Sequence, residues 1–161
     1  MKIGTKYFGE VEYVPDEALQ FPKGLFGFEE EKQFLLMPFS PNEAGEDSGN
    51  AQPWLFSLQS VTTPELAFVM VDPFVFDNTY APILSPEELK KLSVTDSTEL
   101  MYYVMCIVRQ PVAESTVNFR CPVAINAETL EAMQVILEDN SYEMRHRLGD
   151  FTDSQEEGQP C

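Results

Sequence analysis

Apolar residues in this chain come in brief runs rich in Val, Ile, Phe and Tyr, divided by frequent Pro and Gly. Short runs of that composition predict many short strands. Residues 2–7 and 10–14 predict a hairpin turning at Phe8-Gly9. Further strands are predicted over 33–39, 54–59 and 66–72, the last stopped by Pro73. The longest apolar stretch, 100–108, carries no charge and predicts a central strand buried on both faces. Periodicity alone also admits a buried helix there. Tyr102, Tyr103, Val104, Ile107 and Val108 favour the strand. Residues 116–119 and 122–126 predict a further strand pair, and 134–137 a last strand.

One helix is well signalled. In the run Ser85-Pro86-Glu87-Glu88-Leu89-Lys90-Lys91-Leu92, Ser85 and Glu88 form a capping box and Pro86 suits the first helical position. Acidic residues open this helix and lysines close it, as its dipole prefers. A short helical turn is expected at 129–133. The polar residues 42–52 predict a surface loop, and 150–161 a flexible acidic tail. The expectation is one mainly β domain over 1–149, a small antiparallel β-barrel with one or two short helices. Closure is expected because it removes exposed strand edges.

Charge narrows the function classes. Ten Lys and Arg against 27 Asp and Glu leave a net charge of −17. Nucleic-acid binders neutralise phosphates with basic side chains. The densest basic clusters here, Lys90-Lys91 and Arg145-His146-Arg147, are short, so no direct nucleic-acid binding is expected. Acidic charge keeps a protein soluble, and it also steers basic partners. Three unpaired cysteines, Cys106, Cys121 and Cys161, fit a reducing compartment. The N-terminus lacks the apolar segment of a signal peptide, and no apolar run is long enough to span a membrane. The chain reads as cytoplasmic.

Candidate chemistry is sparse. A single His146 without neighbouring ligands does not make a metal site, so neither metal nor cofactor is expected. Cys106 lies within the apolar stretch as a small hydrophobe. Cys121 has only Arg120 to activate it, which is weak support for a reactive thiol. There is no GxSxG elbow. Asp72 and Asp77 flank the loop after a predicted strand and could do acid–base work in a cleft. Among 27 acidic residues, however, such pairs arise by chance. Gly24-Leu25-Phe26-Gly27 lacks the basic charge and helices of a nucleic-acid GxxG loop. It reads better as a turn that uses glycine at positive φ.

At that turn the sequence meets a family pattern. Phe21-Pro22-Lys23-Gly24-Leu25-Phe26-Gly27-Phe28-Glu29 resembles the FP-x-GLPGFE signature of the flagellar assembly factor (FliW) family. The segments PWLFSLQS at 53–60, AFVMVDP at 67–73 with Tyr80 beyond it, and TVNFRCPVAIN at 116–126 are similar to later family motifs, in the same order. Phe26, Phe119 and Cys121 depart from the usual Pro, Leu and Ala, apolar exchanges that a core absorbs. Residues 42–52 look like an insertion.

The resemblance implies a non-catalytic β-barrel in the cytoplasm. Such a protein binds newly made flagellin and also the RNA-binding carbon storage regulator CsrA, blocking its repression of flagellin translation. Partner contacts are expected on motif-bearing loops: Phe26 and Glu29 in the glycine turn, Asp72, Phe74 and Tyr80 after the strand, and Asn118. Two other readings stand beside it: a β-barrel enzyme using carboxylates such as Asp72 and Asp77, and a flagellin chaperone without a translational role. A structural flagellar protein would need long heptad helices, which the sequence lacks.

Overall fold

The computed structural model describes residues 2–38, 54–109, 111, 114–138 and 142–147. The predicted loop 42–52 and tail 150–161 lie outside the described residues.

The chain opens with a hairpin of strands β1 (Lys2–Thr5) and β2 (Gly9–Glu12), paired antiparallel as a separate two-stranded sheet. Gly9 supplies the left-handed residue, at φ 68°. Thr5 Oγ1 closes the turn by donating to Gly9 O at 2.7 Å and accepting from Phe8 N at 2.9 Å. Nine strands then build the main sheet: β3 (Leu19–Gln20), β4 (Gln33–Pro38), β5 (Leu55–Ser60), β6 (Ala67–Val71), β7 (Met101–Ile107), β8 (Thr116–Val117), β9 (Val123–Ile125), β10 (Ala132–Gln134) and β11 (His146–Arg147). Their order is β10-β9-β7-β6-β5-β4-β3, with β8 and β11 branching from β7. All strand pairings are antiparallel.

Among the described residues the buried apolar side chains form three clusters: two larger ones, between which strand alternation divides the sheet, and a small one of Tyr13, Ala18 and Leu35. On β7, Tyr102, Val104 and Cys106 enter one cluster with Val71, Leu92, Leu100 and Phe119, whereas Tyr103 and Met105 pack on the other. That other cluster collects Leu19, Phe34, Leu58, Met70, Ile125 and Ala132 from successive strands, with Phe21 and Leu25 from the glycine turn. The run 100–108 is therefore a central strand. Its ends Met101 and Ile107 are exposed and Tyr103 and Met105 only half-buried, so burial on both faces is incomplete.

Three expectations are corrected. The barrel is not closed: the sheet is open, and its two edge strands meet only at an isolated bridge, Gln20↔Glu131, where Gln20 N donates to Leu130 O at 2.8 Å. Strand β3 is two residues long and Pro22 lacks a ladder donor, so no seam forms. Residues 129–133 do not form a helical turn. Asn126 Oδ1 takes the N–H groups of Glu128 and Thr129, Leu130 sits at φ 64°, and the chain returns as β10. The last predicted strand is displaced: β10 spans Ala132–Gln134. Beyond it only single bonds persist, Val135 N to Pro122 O and Leu137 N to Arg120 O, because the opposing chain bends at Asn118.

Two helices flank the sheet. Helix α1 (Pro73–Phe76) follows β6 directly and was not predicted. Helix α2 (Pro86–Lys91) has the expected capping box: Ser85 Oγ accepts from Glu88 N at 3.2 Å, and Glu88 Oε1 accepts from Ser85 N at 2.8 Å. Leu89 and Leu92 carry α2 onto the first cluster.

Candidate functional site

The glycine turn is built around one close approach. Gly24 lies at φ 66°, and a Cβ there would sit 2.5 Å from Phe28 O. Phe21 and Leu25 are thereby driven into the core, and Phe26 is left at the tip, 49% exposed. Phe26 N donates to Gln134 Oε1 at 3.0 Å, and Gln134 Nε2 to Cys121 O at 3.3 Å, so a buried glutamine anchors the tip to the sheet. Glu29 is exposed, and its carboxylate accepts from Gly27 N at 3.1 Å.

The second region begins where β6 ends. Asp72 Oδ1 accepts from Phe74 N at 3.0 Å and caps α1, with Pro73 buried at the first helical position. Asp77 closes α1, and its Oδ1 accepts from Thr79 N at 2.9 Å. Phe74 projects from α1, 40% exposed, with its ring 5.7 Å from Tyr80 and 6.4 Å from Tyr102. Tyr80 is buried: its hydroxyl donates to Phe119 O at 2.6 Å and its ring stacks on Phe119 at 4.9 Å. Burial, and then the neighbouring tyrosines, push its hydroxyl far above the ordinary phenol value. Asn118 is half-buried, and its Oδ1 accepts from Arg120 N and Cys121 N at 3.1 and 3.0 Å.

Of the six expected contact residues, Phe26, Glu29 and Phe74 present side chains to solvent and Asp72 is partly exposed. Tyr80 and Asn118 hold backbone in place. Tyr80 lies in the first cluster and Phe74 packs beside its Tyr80 and Tyr102 rings, Asp72 and Asn118 bond neighbouring backbone, and Phe26 and Glu29 belong to a turn seated on the second cluster. The carboxylates of Asp72 and Asp77 are engaged by local backbone N–H groups rather than converging on a cleft.

Beside Phe74 lies a groove of about 640 Å³, lined in part by Phe74, Tyr80, Ile83, Leu100, Tyr102 and Asp96. Its far wall is a 3₁₀ turn at Ser97–Glu99. Asp96 Oδ1 caps that turn by accepting from Thr98 N at 2.8 Å, and Glu99 Oε1 accepts from Thr95 N and Asp96 N. These backbone bonds hold both carboxyls below the usual carboxylate range. Tyr102 hydroxyl donates to Ser97 O at 2.6 Å, and burial pushes it up to about 12. Sequence reading passed over this wall. The available signal was Asp96-Ser97-Thr98-Glu99, a capping box placed just before an apolar run.

Among the described residues no group of three His, Cys, Asp or Glu could hold a metal ion. Cys106 and Cys121 are free and buried, and burial pushes the Cys106 thiol up to about 11. No helix among the described residues is long and apolar enough to cross a membrane.

The fold and its surfaces define a β-sheet scaffold that presents aromatic side chains on turns braced from beneath. Its relatives carry that class to a family. The FliW protein family model matches residues 2–148. The flagellar assembly factor FliW of Geobacillus kaustophilus is 38% identical over 148 residues, covering 92% of this chain and 95% of that protein. The Bacillus subtilis flagellar assembly factor FliW is 34% identical over 149 residues, covering 92% and 97%. A crystal structure of the flagellar assembly factor FliW superposes with a TM-score of 0.78 at 34% identity, over 92% of this chain and 96% of that one. This chain belongs to the FliW family of flagellar assembly factors.

Proposed function

We propose that this protein is a cytoplasmic, non-catalytic flagellar assembly factor that binds newly made flagellin and the translational regulator CsrA by direct protein–protein contact. Accumulating flagellin occupies the factor and releases the regulator, which then stops flagellin translation; secretion of flagellin frees the factor again. The observation that carries this reading is the family match over 2–148. The site supports it physically. Phe26 and Phe74 are large aromatics held at the surface by anchored backbone, which lowers the ordering cost of a contact. Glu29 and Asp72 add charge beside them. Tyr80 and Asn118 act in this scheme by positioning the chain beneath those contacts.

Calorimetric titration with flagellin monomer, then with CsrA, each at low and moderate salt, tests the proposal. One-to-one binding to both, with a salt-sensitive regulator arm, is expected. Flagellin binding without regulator binding reduces the role to chaperoning. No heat with either partner overturns the proposal.

A further inference from the structure

The groove beside Phe74 has a one-sided charge. Besides Phe74 it is built from chain segments 80–83 and 96–102; Asp96 is the charged residue of its lining, Glu99 follows in the same 3₁₀ turn, and these segments contain not one Lys or Arg. Asp96 and Glu99 are locked in place by backbone donors of the 3₁₀ turn, so their charge is fixed in position as well as in sign. The floor is apolar and aromatic, formed by Tyr80, Leu100 and Tyr102. Ile83 stands at its rim, 77% exposed, between Pro82 and Leu84, both buried. Those neighbours turn inward and Ile83 outward. A large aliphatic side chain fixed outward over an aromatic floor, facing Phe74, is an unpartnered apolar surface with a shape.

We propose that this acid-rimmed groove is the docking site for the more basic of the two partners, through a segment carrying a bulky apolar side chain flanked by Lys or Arg. The inference rests on the function proposed above and assigns one partner to one surface. The apolar side chain fills the groove between Phe74, Ile83 and Tyr102. The flanking cations lie against Asp96 and the adjoining Glu99, where no basic side chain from the groove-forming segments competes. An RNA-binding regulator supplies such chemistry, because the residues that hold phosphates are basic. An acidic partner segment would meet like charge here and be repelled.

The test is calorimetric titration of CsrA, and in parallel of flagellin, into the unaltered protein and into Ile83→Ser, Phe74→Ala, Asp96→Asn and Val14→Ser. Val14 is another exposed apolar residue, outside the groove, and serves as the control. Ile83→Ser carries the test because its side chain has little packing to lose; thermal melts confirm that each variant folds. The expected result is a loss of about tenfold in CsrA affinity for Ile83→Ser and for Phe74→Ala. Asp96→Asn should lose about threefold and show a shallower salt dependence, with Val14→Ser unchanged. Unchanged CsrA affinity in Ile83→Ser and Phe74→Ala, with the unaltered protein binding, overturns the groove assignment and leaves the proposed function standing. Loss of flagellin binding alone in those variants overturns the basic occupant. No binding of either partner by the unaltered protein overturns both.

Discussion

The side-chain carbonyl of Gln59 accepts a hydrogen bond from the backbone N–H of Lys6 at 2.9 Å, across 53 positions of sequence. The amide end of the same side chain donates to the carbonyls of Ser60, Pro64 and Leu66 at 3.0–3.1 Å, so one buried glutamine joins the N-terminal hairpin to the turn between β5 and β6. The hairpin is a separate two-stranded sheet whose Ile3 packs on the small cluster of Tyr13, Ala18 and Leu35, and such a unit is marginal alone. Gln59→Leu keeps the volume and strands these polar groups. The expected loss is about 2–3 kcal/mol, read from urea midpoints, with faster hydrogen exchange at the Lys6 amide. A change below about 0.5 kcal/mol would mean the hairpin is held by apolar contacts instead.

Gly24 and Gly27 both lie at positive φ, but they differ in the space around them. A Cβ on Gly24 would meet Phe28 O and Glu29 Cα at 2.5 and 2.6 Å, whereas nothing lies within 4 Å of one on Gly27. Gly27→Ala therefore costs only the left-handed conformation, about 1 kcal/mol. Gly24→Ala adds a collision with backbone and should cost about 3 kcal/mol or more. Thermal melting of the two variants checks the order; equal losses would show that the turn can open without penalty.

Glu31 is tied to three hydroxyls of the turn after β5, those of Ser60, Thr62 and Thr63. The Ser60 bond is the main cause that holds its carboxyl below the ordinary value, with the threonines assisting and burial opposing. A carboxyl lowered on folding stabilises the protein fully above its unfolded value, about pH 4.3, and that stabilisation is lost as pH falls through the folded value. The stability gap between the unaltered protein and Glu31→Gln should be widest near neutrality and narrow on acidification below about pH 4. Urea titrations at several pH values measure it. A gap that widens in acid would show that the charged form is not the one these hydroxyls favour.

Tyr80→Phe removes one oxygen and leaves Phe119 O without its 2.6 Å donor inside the first cluster. A stability loss of about 1–2 kcal/mol is expected, with affinity for the two proposed partners unchanged. Asn118→Ala should behave in the same way, since its carbonyl caps two backbone N–H groups. A fall in partner affinity at unchanged stability would place these residues in the interface itself.

Much of the fold was legible in local pattern. Strands β4, β5, β6 and β7 lie within one or two residues of their expected limits where described, because each is a short, largely apolar run containing at least one aromatic residue, bounded by Pro or a polar turn. Helix α2 was visible because its start is written in a capping box and a proline. Strands β3 and β11 were not, since two-residue strands carry no periodicity. Helix α1 escaped notice for a related reason: Pro-Phe-Val-Phe is too short for a 3.6-residue pattern, and its signals were the cap Asp72 and Pro73 at the first helical position, a proline that also reads as a strand stop. Thr129 to Met133 misled because helix-compatible composition was overridden by the side chain of Asn126 and by Leu130 at positive φ.

The residues by themselves determined the β-rich class, the acidic surface, the capped helix and the glycine turn, together with motifs that place the chain in its family. All of these are local: propensity, alternation, capping and backbone freedom act over a few residues. Only the tertiary structure decided that the sheet stays open, since closure depends on whether edges remote in sequence can align. Likewise, Tyr80 and Asn118 turn inward while Phe26, Phe74 and Ile83 face solvent. Exposure is set by what packs over a side chain: Phe119 and Tyr142, distant in sequence, cover Tyr80, and no distant segment covers Phe26, Phe74 or Ile83 to that extent.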